Sequence, residues 1–187
     1  MNSSTKALIG LLLAGVAGIV IFLFVNLSGG KDEGISIGSK TAAACKLGNP
    51  DCLPDVSYID TMGTAYTTKS LAGKVVLVNF WATWCKPCLK EIPDLSKVYE
   101  KYKARGLVML GVMTDDPDNN ALLNFQSDNE MSYPVVRANS DIMVSYSYPG
   151  ALPTTFVYDR SGKQVYSHVG PLRVEQLERL LEPLLQQ

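Results

Sequence analysis

The chain has 187 residues, of which 19% are charged and 47% are hydrophobic, and its formal net charge is −1 at pH 7. This length allows one domain and an appendage but not two full domains. The nearly neutral charge gives no electrostatic basis for binding nucleic acid, so we expect no nucleic-acid partner.

The first segment, residues 7–27, is apolar or small and carries no charged side chain. Its length matches a bilayer-spanning helix and exceeds the apolar core of a cleaved signal peptide. Lys6 and the terminal amine precede it, which favours an N-terminus in the cytoplasm. We expect residues 1–27 to be a cytoplasmic stub and a single-pass anchor in a bacterial inner (cell) membrane, with the remainder periplasmic or extracytoplasmic. A buried helix of a soluble domain is the alternative.

A tether, residues 28–52, follows. Residues 28–44 are rich in Gly, Ser, Lys, Asp and Ala, a composition typical of flexible linkers. Cys45 and Cys52 end the segment, with turn-forming residues between them. We expect them to form a local structural disulfide. A second redox-active pair is the alternative, although the stretch lacks the strand-to-helix context that activates a thiol.

The third segment, residues 53–187, is expected to form a single domain. After a weakly alternating hairpin at residues 56–67, the valine-rich run Val75–Trp81 predicts a strand buried on both faces. An amphipathic run begins just after Cys85, so that thiol should lie at a helix N-terminus, where unpaired N–H groups favour the thiolate. Cys88, one turn further on, can close a disulfide with it.

The residues within and around Cys85-x-x-Cys88 favour redox chemistry over a metal site. Lys86 adds a cation that favours the thiolate, and Pro87 suits the first helical turn. Zinc would need two more ligands, and Cys45, Cys52 and His168 form no second close pair. The sequence therefore predicts no metal and no cofactor. Cys85 should be the exposed thiol and Cys88 the shielded one.

The remaining residues predict alternating helices and strands. Asp115 and Asp116 should cap a helix with Pro117 at its first position, and a proline at the start of a strand is expected at Pro153. The predicted elements are a helix over 89–104, a strand over 107–113, a helix over 116–130, strands at 134–136 and 151–159, helical turns at 141–146, a returning strand at 164–169 and a helix over 174–185. This order predicts an α/β fold with a mixed central sheet and helices on both faces.

The motif resembles the active-site segment of the thioredoxin superfamily. Phe80–Cys88, preceded by Asn79 and followed by Glu91-Ile92-Pro93, is most similar to the TlpA/ResA-like membrane-anchored branch. Leu152-Pro153-Thr154 matches the signature that the superfamily places, with a cis proline, opposite its cysteines. The resemblance covers residues 53–185 and implies a thioredoxin fold.

The resemblance also implies an activity. Members are thiol-disulfide oxidoreductases that act on protein thiols and disulfides and are re-reduced by a membrane electron donor. Some reduce the haem-site cysteines of apocytochrome c. The residues implicated by the motif are Cys85 and Cys88 for catalysis, Trp84, Leu152 and Pro153 for binding substrate, and Lys86, Pro87 and Glu91 for tuning the site.

Three points stay open at this level. Thioredoxins carry a buried Asp where this chain has Asn79, so the proton of Cys88 needs another acceptor, for which Glu91, Asp115 and Asp116 are candidates. The direction could be reduction, which we favour, or oxidation and isomerisation. A non-catalytic thioredoxin-fold binding module is the remaining alternative, and it would need neither cysteine.

Overall fold

A computed structural model describes Cys45 and residues 49–186. The expected anchor at residues 7–27 and most of the tether lie outside the described residues. Within the part of the chain that is described, no helix combines the length and the apolar character needed to cross a membrane.

The centre of the domain is a five-stranded mixed sheet built around β3. A separate two-stranded antiparallel hairpin precedes it, formed by β1 (Tyr58–Ile59) and β2 (Ala65–Tyr66). The strands of the main sheet are β3 (Val75–Trp81), β4 (Leu107–Met113), β5 (Val135–Arg137), β6 (Thr154–Tyr158) and β7 (Gln164–Val169). Their order is β5-β4-β3-β6-β7, with β3, β4 and β5 parallel and β6 antiparallel to both of its neighbours. The mixed sheet predicted from the sequence is confirmed.

Helices cover both faces of this sheet. They are α1 (Thr68–Leu71), α2 (Lys86–Tyr102), α3 (Asn119–Asp128), α4 (Ser140–Ser145) and α5 (Val174–Leu185), and a 3-10 turn, Lys103–Arg105, follows α2. On one face, α2 and α5 pack against β3 through residues such as Leu95 and Leu181. On the other face, α1 and α4 contribute Leu71 and Ile142 to a second apolar cluster. All seven residues of β3 are therefore buried, which explains its unbroken apolar run.

One helix begins later than the sequence indicates. The expected cap at Asp115 or Asp116 is wrong, since Asp118 accepts a hydrogen bond from the Ala121 N–H (2.9 Å) and caps α3. Asp115 instead binds Thr83, and Asp116 forms an ion pair with Arg137. Tertiary partners occupy both carboxylates, so the next acidic residue starts the helix.

A disulfide joins Cys45 and Cys52 at the edge of the domain. Residues on either side of it bind the turn between β6 and β7: the Cys45 N–H donates to the Ser161 carbonyl (3.0 Å), and the Leu53 N–H donates to the Gly162 carbonyl (2.8 Å). This turn follows the C-terminal end of β6, whereas Pro153 precedes its N-terminal end. The Cys45–Cys52 disulfide therefore lies at the opposite end of the sheet from Pro153.

Candidate active site

The two cysteines of the motif lie where β3 ends and α2 begins. Cys85 is the N-cap of α2, with extended backbone, and its Sγ accepts a hydrogen bond from the Cys88 N–H (3.3 Å). The two sulfur atoms form a disulfide, with the Cα atoms 5.2 Å apart. The predicted position of Cys85 at the helix N-terminus is confirmed, and this position favours its thiolate once the disulfide is reduced.

Both sulfur-bearing residues are largely shielded in this disulfide state. Cys88 is 0% exposed, as expected, but Cys85 is only 3% exposed, so the expectation of an exposed Cys85 is wrong in degree. The reason is that Trp84, Lys86 and Leu152 line the surface around it. A reacting sulfur can therefore reach Cys85 only through the opening that these side chains leave.

That opening is a groove of about 370 Å³ between the start of α2 and the loop before β6. Trp84, Cys85, Lys86 and Pro87 form one wall, and Pro149, Gly150, Ala151 and Leu152 form the other. Trp84 is 70% exposed, so its large, mainly apolar ring lies open to solvent. The groove thus presents an apolar wall directly beside Cys85.

The second wall of the groove is held by the backbone around a cis Leu152–Pro153 bond, as the resemblance implied. The Pro153 carbonyl accepts a hydrogen bond from the Gly170 N–H (2.8 Å). The Ala151 carbonyl accepts one from the Thr154 hydroxyl (2.7 Å). Leu152, between these two anchored carbonyls, lines the groove opposite the cysteines.

The two tryptophans of the motif have different surroundings. Trp81 is 0% exposed and stacks on Phe125, with ring centroids 5.3 Å apart. It belongs to the same apolar cluster as Cys85 and Cys88, so it supports the site from below. Trp84 is the one whose ring faces solvent, because it lies in the turn after the strand has ended.

Beneath Cys88 lies a buried carboxyl group. Glu91, one turn further along α2, is 0% exposed. Its Oε1 accepts a hydrogen bond from Asn79 Nδ2 (2.8 Å), and its Oε2 accepts one from the Leu172 N–H (2.9 Å). Burial raises the pKa of Glu91 to about 7. A carboxyl group with this pKa can take up or release a proton near neutral pH.

The other two candidate acids are engaged elsewhere. Asp115 accepts hydrogen bonds from Thr83, at the turn before Cys85. Asp116 pairs with Arg137, and its side chain is 91% exposed. Of the three acids, Glu91 alone is fully buried and lies one helical turn from Cys88.

Sequence reasoning missed two groups of this network, one bonded to Asn79 and one bonded to Glu91. Thr155 accepts a hydrogen bond from Asn79 Nδ2 (3.1 Å), and the Leu172 N–H binds the carboxylate directly. Thr155 follows the proline signature, so its place opposite β3 could have been read from that signature. A backbone N–H at Leu172 leaves no sequence signal, because any residue other than proline supplies it.

Comparison with known proteins agrees with this arrangement. Residues 46–181 match the Redoxin family. A thiol-disulfide oxidoreductase ResA from Bacillus cereus is 37% identical over 132 residues, covering 70% of this chain and 75% of that protein. Another ResA from a second Bacillus cereus strain is 31% identical over 180 residues, covering 96% of this chain and 94% of that protein.

A solved structure shows the same fold. The crystal structure of a thiol:disulfide interchange protein of the thioredoxin family from Chlorobium tepidum superposes with a TM-score of 0.67 and 30% identity. It covers 73% of this chain and 97% of the other. The expected thioredoxin fold is therefore confirmed for the described domain. The chain belongs to the Redoxin family, and within the thioredoxin superfamily it is a thiol-disulfide oxidoreductase of the TlpA/ResA-like type, with protein thiols and disulfides as its substrates.

Proposed function

We propose that the chain is a membrane-tethered, extracytoplasmic protein-disulfide reductase in which Cys85 attacks the substrate and Cys88 resolves the intermediate. The observation that carries this proposal is the Cys85–Cys88 disulfide, which caps α2 at the floor of an apolar groove. A binding module without catalytic activity would have no use for a redox-active pair in this position.

The reaction is a two-step thiol-disulfide exchange. In the reduced protein, the Cys85 thiolate attacks one sulfur of a substrate disulfide, so a mixed disulfide forms and the first substrate thiolate leaves. The Cys88 thiolate then attacks the Cys85 sulfur and releases the second substrate thiolate. Two electrons pass to the substrate, and the Cys85–Cys88 disulfide forms again.

Cys88 must lose a proton before the second step. Glu91 lies one turn away on the same helix, a separation at which side-chain Cβ atoms are about 5–6 Å apart. Its pKa of about 7 suits a group that accepts a proton at neutral pH. We therefore assign Glu91 as the group that accepts the proton of Cys88. Lys86 and Pro87 tune Cys85 from the first turn of α2.

The substrate lies in the groove in our proposal. The carbonyl groups of Pro153 and Ala151 are already bonded within the protein, so the backbone of Leu152 is the part of this loop assigned to an extended substrate segment. Trp84, exposed on the opposite wall, would cover apolar side chains next to the substrate cysteine.

The anchor and the compartment are part of the proposal. Residues 1–27 would hold the protein in the membrane, residues 28–52 would act as the tether, and residues 53–187 would be the catalytic domain. The uncharged length of residues 7–27 supports an anchor in the lipid bilayer. A membrane electron donor would re-reduce Cys85–Cys88, and cytochrome c maturation is the process that the family resemblance favours.

One observation favours the oxidase direction instead. The helix N-terminus and Lys86 both stabilise the Cys85 thiolate, and a stabilised thiolate makes the couple more oxidising. The reduction potential of the Cys85–Cys88 couple separates the two directions. We expect about −200 mV or lower, whereas a value near −120 mV with rapid oxidation of reduced peptides would assign an oxidase.

Trapping tests the roles of the two cysteines. Cys88→Ser should accumulate a mixed disulfide with substrate proteins, because nothing resolves the Cys85 adduct, while Cys85→Ser should accumulate none. Both variants are compared on non-reducing gels, with Cys45 and Cys52 unchanged. Trapping by Cys85→Ser alone would reverse the two roles, and trapping by neither variant would remove the proposed exchange mechanism.

A further inference from the structure

Three buried polar side chains meet beneath Cys88. Glu91 on α2 is 0% exposed, Asn79 on β3 is 1% exposed and Thr155 on β6 is 0% exposed. Asn79 and Thr155 are paired across the antiparallel β3–β6 ladder, so their side chains lie on the same face of the sheet. Polar groups buried this deeply are costly unless each finds a hydrogen-bond partner.

The hydrogen bonds around Glu91 favour its ionised form. Asn79 Nδ2 donates to Glu91 Oε1 (2.8 Å) and to Thr155 Oγ1 (3.1 Å), which uses both of its hydrogens. The Leu172 N–H donates to Glu91 Oε2 (2.9 Å). Both carboxylate oxygens therefore accept from N–H groups, and a proton on Glu91 Oε1 that points towards Asn79 would meet the Nδ2 hydrogen.

The amide of Asn79 also contains an unused acceptor. Asn79 Oδ1 is buried and accepts no hydrogen bond from any residue in the described part of the chain. An amide oxygen has two lone pairs, and they match in number the two hydrogens of Nδ2. Exchanging the places of Oδ1 and Nδ2 would thus replace two donors by two acceptors at the same positions.

We propose that Asn79 is a positioning residue whose side-chain amide reverses when Glu91 takes up a proton. With Glu91 ionised, Nδ2 donates to the carboxylate and to the Thr155 hydroxyl. With Glu91 neutral, Oδ1 accepts the Glu91 O–H, and the Thr155 hydroxyl turns to donate to the same oxygen. Three hydrogen bonds are made in each state, counting the one from the Leu172 N–H, and one end of the Asn79 amide is unpaired in each state: Oδ1 when Glu91 is ionised and Nδ2 when it is neutral.

The other groups around Glu91 do not replace this function. Cys88 precedes Glu91 by one turn on α2. Burial and, to a smaller extent, the charge of Glu91 raise the pKa of Tyr133, in the loop before β5, so this side chain is neutral from pH 5 to 9. The ion pair between Asp94 and Arg173 lies one turn further along α2, with a separation of 3.6 Å. No cation among the described residues bonds to Glu91, so its protonation is balanced by neutral dipoles.

An amide at residue 79 suits both protonation states of Glu91 better than a charged or an apolar side chain. An aspartate at residue 79 would place a second negative charge beside Glu91, and like charges at this separation oppose each other's ionisation. A leucine would offer neither a donor nor an acceptor. An amide presents either one from the same site without carrying a charge.

The test is a titration of the oxidised full-length protein in detergent, from pH 5 to 9, followed by NMR of the Glu91 carboxyl carbon and the Asn79 side-chain amide. We expect the two Asn79 Nδ2 protons to change shift with the same midpoint as Glu91, because they leave the carboxylate when the amide reverses. Amide signals that do not follow the Glu91 titration would overturn the proposal.

Two variants make the test quantitative. If the amide of Asn79 did not reverse, it would stabilise only ionised Glu91. Asn79→Leu would in that case raise the midpoint of the Glu91 titration by about one pH unit or more. A reversible amide bonds to both forms, and the midpoint in Asn79→Leu should then stay within about 0.3 unit of the wild type. Thr155→Val, which alters the same place without touching Glu91, is the matched control and should leave the midpoint in the same range. A rise of a full unit in Asn79→Leu alone would refute the reversal.

The inference rests on the proposed role of Glu91, but the two can fail separately. The oxidised protein has no free thiol at Cys88, so the titration does not depend on which group takes that proton. If Glu91→Gln resolves mixed disulfides at the wild-type rate, the role of Glu91 fails while the amide reversal stands.

Discussion

Asp115 accepts hydrogen bonds from the backbone N–H of Thr83 at 3.2 Å and from the Thr83 hydroxyl. Thr83 lies in the turn between β3 and α2, two residues before Cys85, and Asp115 follows the end of β4. The carboxylate therefore fixes the turn that presents Trp84 and Cys85 to the groove.

Asp115→Ala should destabilise the domain and loosen this turn. Removal of the carboxylate leaves the Thr83 N–H and hydroxyl without their acceptor, and losing a hydrogen bond to a charged group costs about 1.5–3 kcal/mol of unfolding free energy. Denaturant unfolding of the oxidised protein measures this loss, and hydrogen exchange at the Thr83 amide reports the turn.

Asp116→Ala is the matched control for that experiment. Asp116 is the next residue along the chain, and its ion pair with Arg137 is at the surface, so its removal should cost less than about 1 kcal/mol. Equal losses in the two variants, with unchanged exchange at Thr83, would contradict the anchoring role of Asp115.

The same pair of acids shows what the sequence could and could not predict. The strand, the turn, the cysteine cap and the following helix are local, so periodicity and capping rules predict them correctly. The use of Asp115 depends on Thr83, which lies 32 residues earlier. Capping rules assume that a carboxylate just before a helix is free to cap it, whereas the Asp115 carboxylate accepts hydrogen bonds from Thr83.

In the active site, too, the residues on one helix could be predicted from the sequence, whereas their hydrogen-bond partners from other parts of the chain could not. The motif predicts the location of Cys85, Cys88 and Glu91, because all three lie on one helix. The groups around Glu91 come from other parts of the chain: Thr155 on β6 bonds to Asn79, and the Leu172 N–H, between β7 and α5, bonds to Glu91. The antiparallel pairing of β3 with β6 places Thr155 opposite Asn79, and no local pattern contains that register.

The topology of the anchor can be tested with reporter fusions. A reporter that is active only outside the cytoplasm should function when it is fused after Gln187, because residues 7–27 carry no charge and Lys6 precedes them. A reporter that is active only in the cytoplasm should be silent at the same position. The reverse result would reject both the proposed compartment and the extracytoplasmic reductase.

Replacing both Cys45 and Cys52 by Ser should lower stability but preserve exchange at Cys85–Cys88. Closing a loop of this size contributes about 2–3 kcal/mol in the chain-entropy description. The turn that the disulfide borders is separated from Pro153 by the length of β6, five residues or about 16 Å. The two disulfides therefore cannot exchange directly within this arrangement.

Unfolding free energy and turnover with a disulfide substrate are measured on the same double variant. A loss of turnover at unchanged stability would instead assign Cys45 and Cys52 to an electron relay. Peptide mapping without reduction checks that the wild-type protein links these two cysteines to each other.

The buried carboxyl group makes stability depend on pH in a definite direction. In the unfolded chain Glu91 ionises near its ordinary pKa of 4.5, whereas in the folded protein burial raises this pKa to about 7. Between these values the folded state binds more protons than the unfolded state, so the unfolding free energy falls as pH rises. The contribution of Glu91 is fully present below about pH 4.5 and is lost as pH passes 7.

Glu91→Gln should remove this dependence, since glutamine is neutral at every pH. Relative to Glu91→Gln, the wild-type protein should lose up to about 3 kcal/mol of unfolding free energy between pH 4 and pH 8, from 1.36 kcal/mol for each unit of pKa difference. Denaturant unfolding with both disulfides intact gives the unfolding free energy of the wild-type protein and of Glu91→Gln at pH 4 and at pH 8. Glu130→Gln, at an exposed position, should keep the wild-type difference. If the wild-type protein instead gains stability over Glu91→Gln as pH rises, folding must favour the ionised carboxylate, and Glu91 would then be a poor acceptor for the proton of Cys88.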